Sequence, residues 1–427
     1  MTNHLPTERR LQVRARAEHG AALILVAILI FVLVGGTAFV LDYGVMWVAR
    51  RQAQNAADAG ALAGAVARAF DDTAATPAEG GRAWSSAMEA ATANNVWNEP
   101  PVFELPDDGW TCPGFVTPAG RCVTVNVYRD SDHGNPLPIY FGALFGRTSQ
   151  KVRATATAEA IPANATNCLR PWAVPDRWWW PRNSPDPSNP LNGEHTDPPD
   201  EFNAYYTSGP NQGGLLPNPD TYVQGNTGYQ LPLDRGTGPI TLHMAKDTSD
   251  PSTSAWYRSL DLLGASGAKT YQQTIESCVG SPTRIGQYVS LEPGVMSGPN
   301  SKGIQNLINQ DPAATWVTDE NGGHIAGGCM AAANPCTLSP RVVVIAVYDP
   351  ADYAARSATH NKTVCAGGAL QCVKVVNLLG FFVSSGDANG NVEGYIWTKS
   401  GDYDDTAGQW VVTNPAFSFL WDIRLVR

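Results

Sequence analysis

The chain has 427 residues, 43% of them hydrophobic and only 16% charged, a globular composition that excludes a largely disordered protein. Its formal charge of -10, with no dense Lys/Arg run beyond the N-terminus, excludes nucleic acid as a natural partner. With 41 glycines and 32 prolines, a bundle of helices is excluded in favour of turn-rich structure with long connections.

Residues 1–19 form a basic tail carrying Arg9, Arg10, Arg14 and Arg16. Residues 21–41, AALILVAILIFVLVGGTAFVL, carry no charge. As a helix they span roughly 30 Å, about one hydrocarbon core. Gly35, Gly36 and Thr37 are small residues that membrane helices tolerate. A cleaved secretory signal has a shorter apolar core followed by a small-residue cleavage site. Here the run continues without a breaker, which predicts one helix over about 20–70 and a retained, single-pass anchor. The basic residues before the span outnumber Arg50 and Arg51 after it, so the positive-inside bias puts the N-terminus in the cytoplasm and exports the rest. Residues 55–65, NAADAGALAGA, make a small-residue stretch that lets a helix or sheet approach closely. Asp58 within it is either a solvated residue or the partner of a buried donor, and the solvated reading is preferred.

DDTAATPAEG, residues 71–80, reads as a break. Arg82 to Asn95 then predicts a helix with Trp84, Met88 and Ala91 on one face. Val123, Val125 and Val127 alternate with Thr124, Asn126 and Tyr128, the period of a half-buried strand. Pro138 to Phe145 predicts a short helix. Val152, Ala154, Ala156 and Ala158 alternate with polar residues as a second strand. The long helix and small sheet make an exported α+β module, residues 71–162.

Residues 163–235 are rich in Pro, Asn and Asp around Trp178, Trp179 and Trp180, and read as an irregular segment pinned by its tryptophans. The same aromatics could instead bind a glycan or a protein surface. Residues 236–427 read as a β-rich exported domain. ITLHM is a strand candidate, STSAWYRSLDL a turn or short helix, and GIQNLINQ a helix ended by Pro312. RVVVIAVYD, residues 341–349, is the clearest core strand. Val373 to Phe382 and Val392 to Trp397 are its expected partners, joined by the turn SSGDANGN, and the last run, QWVVTNPAFSFLWDIRLVR, closes the sheet. The fold class is thus α+β: one transmembrane helix with its extension, a small module and a larger β-rich domain.

None of the eight cysteines lies in a CxxC, and none has a His at zinc-finger spacing, so no structural metal is expected. Their even number and three close pairs suit disulfides in an exported domain, with buried free thiols as the alternative. Proximity alone pairs Cys112–Cys122, Cys329–Cys336 and Cys365–Cys372, leaving Cys168 with Cys278. That is one of about 105 connectivities. Asp387, Asn389, Asn391 and Glu393 have a spacing that can surround a hard cation, but an Asn/Gly hairpin explains them as simply. Neither GxSxG nor HExxH occurs, no glycine cluster reads as a phosphate loop, and His195, His243, His324 and His360 stand singly. The sequons at Asn164 and Asn361 carry weight only if the host glycosylates exported asparagines. No catalytic, cofactor-binding or metal-ligating residue is assigned, and no enzyme is expected.

HGAALILVAILIFVLVGGTAFVLDYGVMWVARRQAQNAADAGALAGA closely resembles the N-terminal module of the TadE/TadG-like proteins of the tight-adherence (Flp pilus) system. The features that carry it are Gly20, the Asp42-Tyr43-Gly44 exit, Arg50-Arg51-Gln52, and Asn55-Ala56-Ala57-Asp58-Ala59 before Ala61-Leu62-Ala63. PIYFGALFGRTSQKVRATATAEA is similar to the end of that family's first exported module. SLEPGVMSGPNSKGIQNLINQDP and VVNLLGFFVSSGDANGNVEGYIW resemble C-terminal regions of longer members. The resemblance implies a bacterial inner-membrane protein, minor pilin-like or assembly-associated, with pilus-assembly or secretion proteins as partners beside the lipid bilayer. Prepilins of that system carry a glutamate five residues past the cleavage glycine. Leu25 stands there in this chain, so permanent membrane residence is expected rather than processing at Gly20. The alternative is a surface adhesin or binding module unrelated to a working pilus.

Overall fold

The computed structural model describes residues 8–71, 76–112, 121–142, 146–147, 149–176, 234–236, 238–246, 256–264, 267–278, 282–319, 322–332, 336, 338–349, 352–353, 365, 371–404 and 418–426, with side chains from residue 22 onward. A long N-terminal apolar helix is followed by a mixed α+β region and then by a sheet-rich C-terminal region. The chain divides into two compact units, the first made of residues 1–114, 121–159 and 424–427, the second of 115–120 and 160–423.

The first unit is built on α1 (Glu8–Phe70). This helix starts well before the expected residue 20, because ERRLQVRARAEHG ahead of the apolar run is made mostly of good helix formers. From Leu23 to Leu41 its large apolar side chains are exposed on every side, Phe31 by 77% and Phe39 by 70%. Lipid satisfies such a surface, and among the described residues α1 is the one helix long and apolar enough to cross a membrane, which supports a single-pass anchor. Beyond Ala49 the helix changes character. Ala49, Ala53, Ala56, Ala57, Ala61 and Ala65 are fully buried. Arg121 Nη1 donates to the Arg68 carbonyl at 2.7 Å and caps the last turn.

After α1 come α2 (Arg82–Thr92), β1 (Val102–Glu104), β2 (Arg121–Arg129) and β3 (Val152–Pro162). β1 runs antiparallel to β2, with Val102 opposite Tyr128, and β3 follows β2 in the sheet. The valines at 123, 125 and 127 and the alanines at 154, 156 and 158 are buried, but Asn126 and Tyr128 are buried as well, so β2 is covered on both faces beyond Thr124 rather than half-buried. Thr124 Oγ1 lies 2.8 Å from Thr157 Oγ1, and Thr155 donates to Asn126 Oδ1 at 2.6 Å, joining the strands on the other face. The buried stripe of α2 is Ala83, Ala87 and Ala91, whereas Trp84 and Met88 are only half-buried. Of the expected face of Trp84, Met88 and Ala91, only Ala91 belongs to the buried stripe. The neighbouring helix offers glycines, and only small side chains fit against it.

The second unit contains β4 (Ala165–Thr166), β5 (Leu169–Pro175), β6 (Ile240–Met244), β7 (Trp256–Ser259), α3 (Ala268–Glu276), β8 (Thr283–Arg284), β9 (Tyr288–Ser290), α4 (Ser297–Asn309), β10 (Ala314–Asp319), β11 (Gly322–Gly327), β12 (Val342–Tyr348), β13 (Cys372–Gly386), β14 (Val392–Trp397), β15 (Lys399–Ser400) and, as far as Ile423, β16 (Leu420–Val426). The order β12-β5-β7-β6-β14-β13, with β13 pairing again to β12, closes six strands into a ring. β9 extends β13, with Val373 opposite Val289. Closure removes the open edges that an isolated sheet would expose. Every residue of β12 is buried, and β13 and β14 are its successive antiparallel neighbours, as expected from their runs of β-branched and aromatic residues.

Two expectations are corrected in this unit. Residues 169–175, grouped by composition with an irregular segment, are a wholly buried strand beside β12. Burial on both faces hides any alternation. The β12 register also shifts where Leu169 and Ala173 pair with Val344 and Ala346, and Pro171, with no N–H to donate, sits in that bulge. Trp256–Ser259 is likewise a strand rather than a turn or short helix. Trp178, Trp179 and Trp180, residues 409–417, His195, His360 and Asn361 lie outside the described residues.

All eight cysteines are paired as proximity indicated: Cys112–Cys122, Cys168–Cys278, Cys329–Cys336 and Cys365–Cys372. The simple pairing holds because residues close in sequence meet at little loop-closure cost, which leaves one remote pair.

Lys399 Nζ donates to the Val342 carbonyl at 2.6 Å. Burial, reinforced by the charge of Arg170, pushes this amine down to about 8 from its ordinary 10.5. Between those values the unfolded chain holds a proton that the folded chain has released, so stability rises with pH across this window. Below it the charged amine opposes folding. Lys399→Met is therefore expected to stabilise the protein near neutral pH by about 1–3 kcal/mol, allowing for partial exposure. Urea unfolding at pH 7 and pH 10 should show the two proteins converging at the higher pH.

Candidate functional site

The polar residues of the N-terminal motif lie where α1 leaves its apolar run, and within the first unit they hold the helix to the rest of that unit. Asp42 follows the last residue of the run. Its Oδ1 accepts the Tyr140 N–H at 2.9 Å, and its Oδ2 accepts those of Phe141 at 3.1 Å and Gly142 at 2.7 Å. Gln150 Nε2 donates to the Asp42 carbonyl at 3.3 Å, and Leu137 pairs with Gln150 as an isolated bridge. Residues 138–141 are thus an irregular strap across the helix. This corrects the helix expected over 138–145, of which 143–145 lie outside the described residues. The strap's N–H groups are directed to a carboxylate nearly a hundred residues away instead of to local carbonyls.

Further along the helix, Arg51 stacks its guanidinium over Trp47 at 4.0 Å. Gln52 Oε1 accepts the Trp97 N–H at 2.8 Å, in a turn where Trp97 and Asn98 have positive φ. Asp58 is half-buried and accepts Gln54 Nε2 at 2.8 Å, so it is a bonded residue rather than a freely solvated one. Gln54 also reaches the Thr155 carbonyl of β3 at 3.3 Å.

Gly60 and Gly64 occupy the closest approach. A Cβ at Gly60 would meet the Ala87 carbonyl oxygen and Ala91 Cβ at 2.9 Å, and one at Gly64 would meet Val123 Cγ1 at 2.9 Å. Gly44 has nothing within 4 Å. Gly60→Val is expected to destabilise the first unit by about 1–3 kcal/mol, because the backbone of α2 must move. Gly44→Ala should be neutral or stabilise by up to about 1 kcal/mol. Urea midpoints of the two variants in detergent distinguish them.

At the far end of α1, Arg68 is buried and donates to the Trp110 and Cys122 carbonyls at 3.0 and 2.6 Å. Its guanidinium lies 5.4 Å from the Trp110 ring. Neither this arginine nor the strap follows from sequence patterns, since both bond to backbone groups whose position no local pattern reveals.

The sites weighed from sequence resolve differently. Asp387 Oδ1 accepts the N–H groups of Asn389 and Asn391 at 2.8 and 2.9 Å, and its Oδ2 accepts Asn391 Nδ2 at 2.8 Å. Burial pushes this carboxyl up, but the bonds from Asn391 and Asn389 outweigh it and hold it below its usual range. Glu393 accepts Ser385 Oγ at 2.6 Å. These bonds close a hairpin, the simpler of the two readings of this spacing. Asn164 is buried, with its amide donating to the Asp404 carbonyl at 2.9 Å and accepting the Asp404 N–H at 2.8 Å. His243 lies beside the Trp256 ring, and His324 Nδ1 is 3.9 Å from Asp319 Oδ2. Among the described residues no group of three or more His, Cys, Asp or Glu could hold a metal ion.

Residues 20–67 match the family model described as Putative Flp pilus-assembly TadE/G-like. No curated protein and no solved structure matches the chain. The matched stretch runs from the start of the apolar segment to the residue before Arg68, and the looser likenesses further along the chain lie outside it. It includes Asp42, Gln52, Gly60 and Gly64, so the match falls on a membrane helix together with the contacts that tie it to an α+β unit. The contacts at these residues serve packing and anchorage.

Proposed function

We propose that this protein is a non-catalytic, minor pilin-like or assembly-associated component of a Flp/tight-adherence pilus system, held in the bacterial inner membrane by α1. Its N-terminus is cytoplasmic and its bulk faces the periplasm or the exterior. The observation that carries the reading is the coincidence of the family match with the docked part of α1. A generic anchor needs only apolar residues, whereas here Asp42 and Gln52 bind the unit's backbone and Gly60 and Gly64 admit α2 and β2. The basic flank ahead of the span supports the orientation, and four disulfides support an oxidising compartment. The first exported module is read as pilin-like on the same ground, a long helix laid on a small antiparallel sheet.

The test is crosslinking of the full-length protein in native membranes, followed by capture and mass spectrometry of its partners and of its N-terminus. Recovery of pilus secretion components with residues 1–20 intact supports a membrane-resident assembly factor. Loss of those residues would replace it with a processed pseudopilin. An intact anchor without such partners would sink the pilus role and leave a surface-binding module.

A further inference from the structure

The exit of α1 carries a second set of membrane-directed groups. Phe39, Tyr43 and Trp47 recur every four residues on one face of the helix, and Phe39 stacks on Tyr43 with ring centres 6.1 Å apart. All three stay exposed, Tyr43 by 54% and Trp47 by 50%, and Arg51 covers Trp47 from the next turn. Tyr and Trp in this place form the belt that sits at headgroup level in membrane proteins. Counted from Ala22, roughly 30 Å of helix ends at Asp42, so Asp42 lies where the hydrocarbon stops.

The strap is fixed at that same level. Three consecutive N–H groups bind the Asp42 carboxylate, and Tyr140, the first of them, holds its ring 58% exposed. A carboxylate with three internal donors and a backbone segment whose N–H groups are paired can both sit in a poorly hydrated layer at little cost.

We propose that residues 138–141 form a second, non-helical contact with the bilayer, placing the Tyr140 ring in the lipid headgroup layer with Asp42 as the residue that positions it. The occupant is the membrane surface, because this face is continuous with the span and Asp42 joins the two. The proposal rests on α1 crossing the bilayer and not on any pilus role.

The test uses full-length protein in phosphatidylethanolamine–phosphatidylglycerol vesicles with nitroxide labels on single added cysteines, the native cysteines being disulfide-bonded. Leu33→Cys reports the hydrocarbon core. Asp107→Cys reports water, since its neighbour Trp110 contacts Arg68, about 39 Å along the helix from Asp42. Tyr140→Cys should show a several-fold loss of access to a water-soluble nickel chelate relative to Asp107→Cys, with oxygen access between the two references. Adding Asp42→Ala should return nickel access at 140 towards the aqueous value while the label at 33 stays unchanged. Equal nickel access at 140 and 107, with the label at 33 still in hydrocarbon, would overturn the contact while leaving the anchor intact. A label at 140 that ignores Asp42→Ala would overturn the positioning role of Asp42.

Discussion

Replacing Arg341 with methionine should destabilise the second unit by about 3–5 kcal/mol, because several buried carbonyls lose their donor at once. Arg341 is 4% exposed and stands immediately before β12. Its Nε donates to the Val383 carbonyl at 2.9 Å, Nη1 to those of Ala314 and Asp311 at 2.6 and 3.2 Å, and Nη2 to that of Ser384 at 3.0 Å. One planar fork thus joins the turn after α4, the start of β10 and the C-terminal part of β13. The Phe382 ring lies 4.8 Å from the guanidinium. Methionine fills similar space but removes a donor from four carbonyls, each of which costs about 1–3 kcal/mol where it stays unsatisfied. Arg341→Lys should fall between, since an ammonium keeps the charge but cannot reproduce the fork. Urea unfolding of the full-length protein in detergent, followed by near-UV circular dichroism, measures both. A methionine variant within about 1 kcal/mol of the parent would show that these carbonyls find other donors.

Asn300→Leu is expected to cost about 2–4 kcal/mol through a different mechanism, the opening of a buried polar network. Asn300, on α4, has no exposed surface. Its Oδ1 accepts Trp172 Nε1 at 2.8 Å and lies 3.2 Å from the Tyr271 hydroxyl, while its Nδ2 donates to the Gly390 carbonyl at 2.7 Å. The Tyr257 hydroxyl donates to the same carbonyl at 2.7 Å, and the Tyr271 hydroxyl is 3.1 Å from Ser259 Oγ. Burial raises both phenols above their ordinary range, so they act as neutral donors. Leucine strands the Trp172 N–H outright, whereas Gly390 keeps Tyr257. The near-UV signal of Trp172 and Tyr257, whose rings meet edge-on at 6.2 Å, should weaken before the far-UV signal is lost. An unchanged urea midpoint would mean that the network adds no net stability.

Features that depend on neighbours in the chain are legible in the residues alone. The anchor follows from the length and apolarity of residues 21–41. β12, β13 and β14 follow from continuous β-branched and aromatic runs with a Gly/Asn turn between the last two. The near disulfides follow from loop closure. Local patterns mislead where a residue's partner is remote. β5 is disguised because burial on both faces hides alternation while Arg170 and Pro171 interrupt the apolar run that identifies a buried strand. Trp84 and Met88 resemble the core face of α2 because they are large, yet the facing glycines of α1 select alanine.

The candidate site divides in the same way. The polar residues at 42, 52 and 58 are visible as a motif, but nothing local says that Asp42 holds the N–H groups of residues 140–142 or that Gln52 receives that of Trp97. The sequence by itself determined the membrane helix, the pairing of cysteines close in the chain and the strongest strands, because local hydrophobicity, propensity and short loops dominate their free energies. Only the tertiary structure decided the closure of β5 and β12 into a ring, the arginine fork at 341, the network at Asn300 and the strap on Asp42. Each of these satisfies buried backbone or side-chain polar groups from far along the chain, and such pairing is set by how the elements pack rather than by any residue's own preference.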